Sequence, residues 1–245
     1  RLLATPSFAL EQTSACVLKM ADLVEEAVNE AMTVILDYDK QTVKRIEQRE
    51  KLIDRYDDEV SGYLVKLSAR NLTESDTMKL NQMLHGIGDL ERIADHAMNL
   101  GELARSMNKK EQHFSSKAAE ELRTFSRAVT DIVQMSVRMF QEGDLACAKR
   151  IEPFEEAIDR LQKNMKKRHT KRLKKGKCTA EMGFVLSDIT NNYERIADHC
   201  SNLAIGVMQL YENDTYAHEY VDSLTKDEGS EFDVLYQQYL EKYRI

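Results

Sequence analysis

The chain has 245 residues and a net charge of −7; 31% of its residues are charged and 7% aromatic, with no Trp. Nine Gly and two Pro leave few places to break it, which favours long helices over strands and tight turns. The negative balance disfavours nucleic acid as a partner, no apolar run approaches the roughly 18 residues of a membrane span, and four scattered cysteines without a Cys-x-x-Cys pair read as reduced thiols in a cytosolic setting.

Apolar residues at helical spacing begin near Phe8 and run through Val17, Met20, Val24, Val28, Ala31 and Ile35, pausing at Asp37-Tyr38-Asp39. A second helix is expected from about Lys40, with Val43, Ile46, Ile53, Val60, Leu64 and Leu67 on one stripe. Thr73 and Asp76 have capping-box spacing and open a third helix that runs to about Met107. A fourth carries Leu122, Phe125, Val129, Ile132 and Met139 and stops at Glu142-Gly143. The fifth covers about Asp144 to Leu173, where Pro153 predicts a kink or an offset start. The sixth occupies about Thr179 to Tyr211; residues 213–229 read as a loop, and a short Tyr-rich helix covers about 230 to 243.

Two segments return almost unchanged. Glu91-Arg-Ile-Ala-Asp95-His96 recurs as Glu194-Arg-Ile-Ala-Asp198-His199, a shift of 103 residues. Lys44-Arg-Ile-Glu47 with Glu50, Ile53, Asp54 and Arg55 recurs as Lys149-Arg-Ile-Glu152 with Glu155, Ile158, Asp159 and Arg160, a shift of 105. Matched segments at nearly one shift indicate a duplication. The expected fold is therefore all-α: two tandem three-helix bundles, residues 1–110 and 111–213, followed by a loop and C-terminal helix, residues 214–245.

Each repeat holds two Glu-x-x-x-Asp pairs. Residues four apart share a helix face, where like charges repel. With about 100° per residue, Leu80, Leu84, Ala94 and Met98 fall within roughly 60° of Ile87; Glu91 lies inside that arc and Asp95 at its edge. Glu50 and Asp54, with Asp57 on the same stripe, lie among Val43, Ile46 and Ile53; Glu155 and Asp159 lie among Ala148, Ile151 and Ile158, and Glu194 and Asp198 flank their stripe. Carboxylates aimed at a helix seam need protons, cationic partners or a metal to neutralise them. Arg55, Arg92, Arg160 and Arg195 supply the ion-pair alternative. Two helices each offering a Glu and an Asp supply the other, an oxygen-rich nest for iron, manganese or magnesium. Asn99 and Asn202 either hydrogen-bond a ligating carboxylate from behind or span between helices, and His96 and His199 point too far from the Glu to be ligands.

No Glu-x-x-His occurs, which argues against a ferritin-like di-iron oxidase, and no phosphate loop or nucleophile elbow is present. Nothing requires an enzyme. Lys166, Lys167, Arg168, Lys171 and Arg172 sit in a basic run ending the fifth helix; they are either a solvated, dipole-complementing helix end or a contact for an anionic membrane surface or acidic partner.

The paired Glu-Arg-Ile-Ala-Asp-His motifs, each on the third helix of a three-helix repeat, resemble the PhoU family over about residues 8 to 211. The opening Arg1-Leu-Leu-Ala-Thr-Pro6 further resembles the passage from a Na⁺/phosphate cotransporter-type membrane region into a C-terminal PhoU-like domain, and implies that this chain continues a longer one. The resemblance implies a regulatory domain at the inner face of the cell membrane that modulates phosphate transport, with the transmembrane region of the same chain or a separate phosphate transporter as partner, and with room for a homodimer. It implies multinuclear metal sites, iron foremost with manganese, magnesium or zinc as options. One site would use Glu50, Asp54, Glu91 and Asp95, the other Glu155, Asp159, Glu194 and Asp198. Asp57 has Gln162 as its repeat counterpart and Asp89 has Asn192, so the second site is expected to be less acidic. A free-standing metal-binding or buffering bundle is the alternative function.

Overall fold

The computed structural model describes residues 6–211 and 229–245, and all of its regular elements are helices. They are α1 (Pro6–Val34), α2 (Lys40–Ser68), α3 (Glu74–Lys109), α4 (Ser116–Glu142), α5 (Leu145–Lys174), α6 (Ala180–Tyr211) and α7 (Glu231–Lys242). The loop expected over residues 213–229 falls almost wholly outside the described residues, as do residues 1–5.

The boundaries follow from local chemistry. Asp39, Thr73, Ser115, Asp144 and Ser230 each sit in extended backbone and accept a hydrogen bond from an amide in the first turn of the helix that follows, satisfying a donor that has no intrahelical partner. Gly143 ends α4 at φ 64°, a left-handed conformation that costs glycine little. Pro153 neither offsets nor interrupts its helix: α5 begins at Leu145 and continues past it. Ile151 and Ile158 are fully buried on either side, and Phe154 is 1% exposed, so core packing holds the segment helical on both sides of the missing amide.

Within each triplet the helices pack on one another, and the triplets meet through α3 on α6 and α1 on α4. The cores are contiguous: Met20, Val24, Ile46, Ile87 and Leu90 belong to the same buried cluster as Phe125, Ile132, Ile158, Ile196 and Val207. Ala94 and Ala97 in α3 and Ala197 and Cys200 in α6 are all buried. α7 lies along α5, where Tyr239 stacks on Phe154 at 4.2 Å between ring centroids and Tyr243 stacks at 5.3 Å. Among the described residues, no helix is long and apolar enough to cross a membrane.

Candidate metal centre

The α2–α3 seam brings carboxylates together at its rim. Ligand oxygens of Glu50, Asp54 and Asp95 all lie within 4.8 Å of one another. The wheel aimed these groups into the seam; the structure instead leaves Asp54 exposed and Glu50, Glu91 and Asp95 half-buried, so water reaches one side of the cluster. On the same two helices Ile46, Ile53 and Ile93 are buried.

The electrostatics show negative charge that the protein leaves incompletely balanced. Burial, then Asp95, pushes the Glu91 carboxyl up to about 7. Glu50 is raised by burial and by Asp54, Asp95 and Glu102, and Asp54 by burial and by Asp95, Asp58 and Asp57. Asp57 joins this field while accepting a hydrogen bond from Ser61 at 2.9 Å. The cation facing Glu91 and Asp95 is Arg92, at 3.6 and 3.8 Å with 63% of its side chain exposed; contacts that long and that wet are worth little. A hard cation fits this donor set, because it meets carboxylate oxygens from two helices and relieves their mutual repulsion.

The second quartet is built differently. Burial, reinforced by Glu152, Glu156, Asp198 and Asp159, drives Glu155 up to about 9. Glu194 is raised by burial and Asp198, and Glu152 by burial, although Ser201 donates a hydrogen bond to it. Yet Asp159 is held by Lys163 at 2.5 Å, and Asp198 by Arg195 at 3.2 Å. Gln162 spends its amide on the Thr190 carbonyl and Asn191, 3.2 and 3.0 Å away. Among the described residues, Glu155, Asp159, Glu194 and Asp198 do not gather their oxygens as Glu50, Asp54 and Asp95 do. The sequence contains the reason beside a position already singled out: Asp57-Asp58 in the first repeat corresponds to Gln162-Lys163 in the second, at the shift of 105. The lysine neutralises in place what the first repeat leaves charged.

Asn99 and Asn202, expected near ligating carboxylates, take the other course left open for them. Asn99 donates to Asn192 at 3.4 Å and Asn202 to Asp89 at 3.1 Å, both across the α3–α6 seam. His96 Nδ1 lies 2.9 Å from Asn192 and His199 Nδ1 2.9 Å from Asp89, with the two imidazoles stacked at 5.8 Å. Asp89 therefore fastens the two repeats together and adds nothing directly to the first acidic cluster, a correction to the asymmetry read from Asp89 and Asn192. Sequence reasoning missed this seam, although the equal spacing of 89, 96 and 99 with 192, 199 and 202 carried it.

The basic run is also divided. Arg172 turns inward to Glu121 at 2.8 Å, Arg168 reaches the same carboxylate at 3.1 Å from an exposed position, and Lys166 donates to Asn191 at 2.9 Å. Lys167 and Lys171 remain exposed.

Comparison with known proteins accords with this duplicated architecture. The PhoU domain matches the chain twice, over residues 17–104 and 122–207. A phosphate-specific transport system accessory protein PhoU homolog 1 of Thermotoga maritima is 26% identical over 195 residues, covering 79% of this chain and 83% of that protein. A PhoU homolog of Pseudomonas putida is 23% identical over 220 residues, 89% of this chain and 85% of its own length. The crystal structure of PhoU from Pseudomonas aeruginosa superimposes with a TM-score of 0.77 at 23% identity, covering 84% of this chain and 98% of that one. PhoU from Streptococcus pneumoniae does so at 0.76 and 19%, covering 86% and 98%. With both halves matched and the fold shared, the chain belongs to the PhoU domain family.

Proposed function

We propose that this chain is a non-enzymatic regulator of phosphate transport, acting by contact with a phosphate transporter and holding a metal cation, iron foremost, at the Glu50–Asp54–Asp95 cluster. The relatives' names, accessory proteins of phosphate-specific transport, support the transport half of this reading. The observation that carries the metal half is the meeting of three carboxylates within 4.8 Å of one another, with Glu91 beside them raised by the same field. Glu50 and Asp54 would bind from α2 and Asp95 and Glu91 from α3, so a bound ion would clamp the two helices at that end of the first bundle. Glu155, Asp159, Glu194 and Asp198 form a weaker second site, because their oxygens do not gather as those of the first do and Lys163 stands against Asp159 where the first repeat has Asp58.

The partner is either a separate transporter or a membrane region in the same polypeptide, at the inner face of the membrane. The exposed lysines at the end of α5 are the surface offered to anionic lipid. Phosphate uptake by cells carrying D54N/D95N tests the reading: uptake should lose its regulation by external phosphate while the protein remains at normal level. Unaltered regulation in that variant would separate the metal cluster from the role in transport.

A further inference from the structure

The second repeat carries an ion-paired arginine where the first has a core leucine. At the shift of 105, Arg172 corresponds to Leu67, Arg168 to Tyr63 and Glu121 to Cys16. Leu67 is fully buried and Cys16 is exposed. In the second repeat Arg172 enters from the core position, 13% exposed, and takes both oxygens of Glu121 through Nη1, at 2.9 and 2.8 Å. Its Nε and Nη2 are shut off from solvent with no acceptor. Orphaned donors on a buried cation are costly, and a duplicated fold that elsewhere fills this position with leucine has no packing need for them.

Beside this arginine lies a cavity of about 700 Å³. Six cations line it, Lys117, Arg168, Lys171, Arg172, Lys175 and Lys177, against Glu121 as the single acid. Its remaining wall is Ser115 and Ser116, the cap and first residue of α4, a 27-residue helix whose Ser115 hydroxyl accepts from the Ala118 amide. First-turn amides have no intrahelical partners and favour an anion. The Glu121 carboxylate is fully engaged by the two arginines, so it fixes their guanidinium groups more than it repels an incoming anion.

We propose that this cavity is a binding site for a phosphate-type oxyanion, either free inorganic phosphate or the phosphomonoester headgroup of a lipid. The anion sits between Arg172, Lys171, Lys175 and the start of α4, its charge met by the lysines that line the cavity and by the first-turn amides of α4. This goes beyond the regulatory reading, because the site lies in the second repeat, on residues other than the acidic cluster of Asp54, and needs no metal.

The test is direct binding by metal-free protein, with inorganic phosphate followed by calorimetry and with vesicles of neutral lipid containing phosphatidic acid or, separately, phosphatidylglycerol. Arg172→Leu reproduces the first repeat's residue, and K171Q/K175Q changes exposed positions in case the leucine variant fails to fold. Loss of charge-assisted hydrogen bonds should weaken phosphate binding about tenfold or more in either variant. Binding of free phosphate with that loss identifies the soluble anion. Binding only to phosphatidic-acid vesicles, with the same loss, identifies the headgroup. Vesicle binding that is equal for both lipids and indifferent to Arg172→Leu, or an absence of binding to every probe, overturns the proposal.

Discussion

His199 Nδ1 meets Asp89 Oδ1 at 2.9 Å, while its repeat counterpart His96 meets Asn192 at the same distance. One geometry is thus made twice across the α3–α6 seam, once with a carboxylate and once with an amide. Asp89 also accepts from the exposed Asn202, so Asp89→Ala strands the half-buried His199 imidazole while Asn202 turns to water. The expected cost is about 1–3 kcal/mol, read as a lower urea midpoint with an unchanged m-value. A loss below about 0.5 kcal/mol would mean that the seam is held by apolar contact alone.

The raised carboxyls give a pH dependence of definite sign. Glu155 at about 9 and Glu91 at about 7 bind protons more tightly folded than unfolded. Their contribution is complete below the unfolded value near 4.5 and is lost as pH rises through the folded values. Metal-free protein should therefore lose stability between pH 5 and pH 9, and Glu155→Gln should flatten that slope. Urea unfolding at a series of pH values checks both, and a steeper slope in Glu155→Gln would contradict the assignment.

Gly86 in α3 lies against α4 and α6. A Cβ there would stand 2.7 Å from the Phe140 ring and 3.7 Å from Leu203. Alanine would gain about 1 kcal/mol of helix propensity, against about 1–3 kcal/mol for overpacking. Gly86→Ala should thus be net destabilising by up to about 2 kcal/mol in chemical denaturation, whereas Gly88→Ala, which meets nothing within 4 Å, should stabilise.

The C-terminal helix is fastened by Tyr239 and Tyr243 on Phe154, with Tyr243 hydroxyl and Lys242 both bonding Asp131. Truncating a buried aromatic costs about 3–5 kcal/mol, more than a 12-residue helix can make up alone. Tyr239→Ala should undock α7 and leave the two bundles folded. Hydrogen exchange should then show protection lost over Glu231–Lys242 and retained in α3 and α6; protection retained in α7 would refute this.

Helix existence, most boundaries and the duplication were legible in the sequence because they depend on spacing within one helix or on identity between segments. Glu50, Asp54, Glu91 and Asp95 could be singled out for the same reason, each pair lying on one face. Their exposure could not, since a wheel gives direction and says nothing of where the neighbouring helix stops. The pairing of Arg168 and Arg172 with Glu121 was hidden among nine basic residues, because Glu121 is about 50 positions away on another helix. The docking of α7 depended on Phe154, which its own helix pattern reads as ordinary core. Lys163 was visible all along as the counterpart of Asp58, and only its 2.5 Å contact with Asp159 gives it meaning.

The central claim is that the first acidic cluster holds a metal and does so better than the second. Elemental analysis of protein purified without chelator or histidine tag, for the wild type, D54N/D95N and D159N/D198N, tests it most directly. Bound metal, iron foremost, should fall sharply in D54N/D95N and far less in D159N/D198N. Metal-free wild type that neither takes up iron, manganese, magnesium or zinc nor melts higher in their presence would contradict the claim, as would equal loss in both variants.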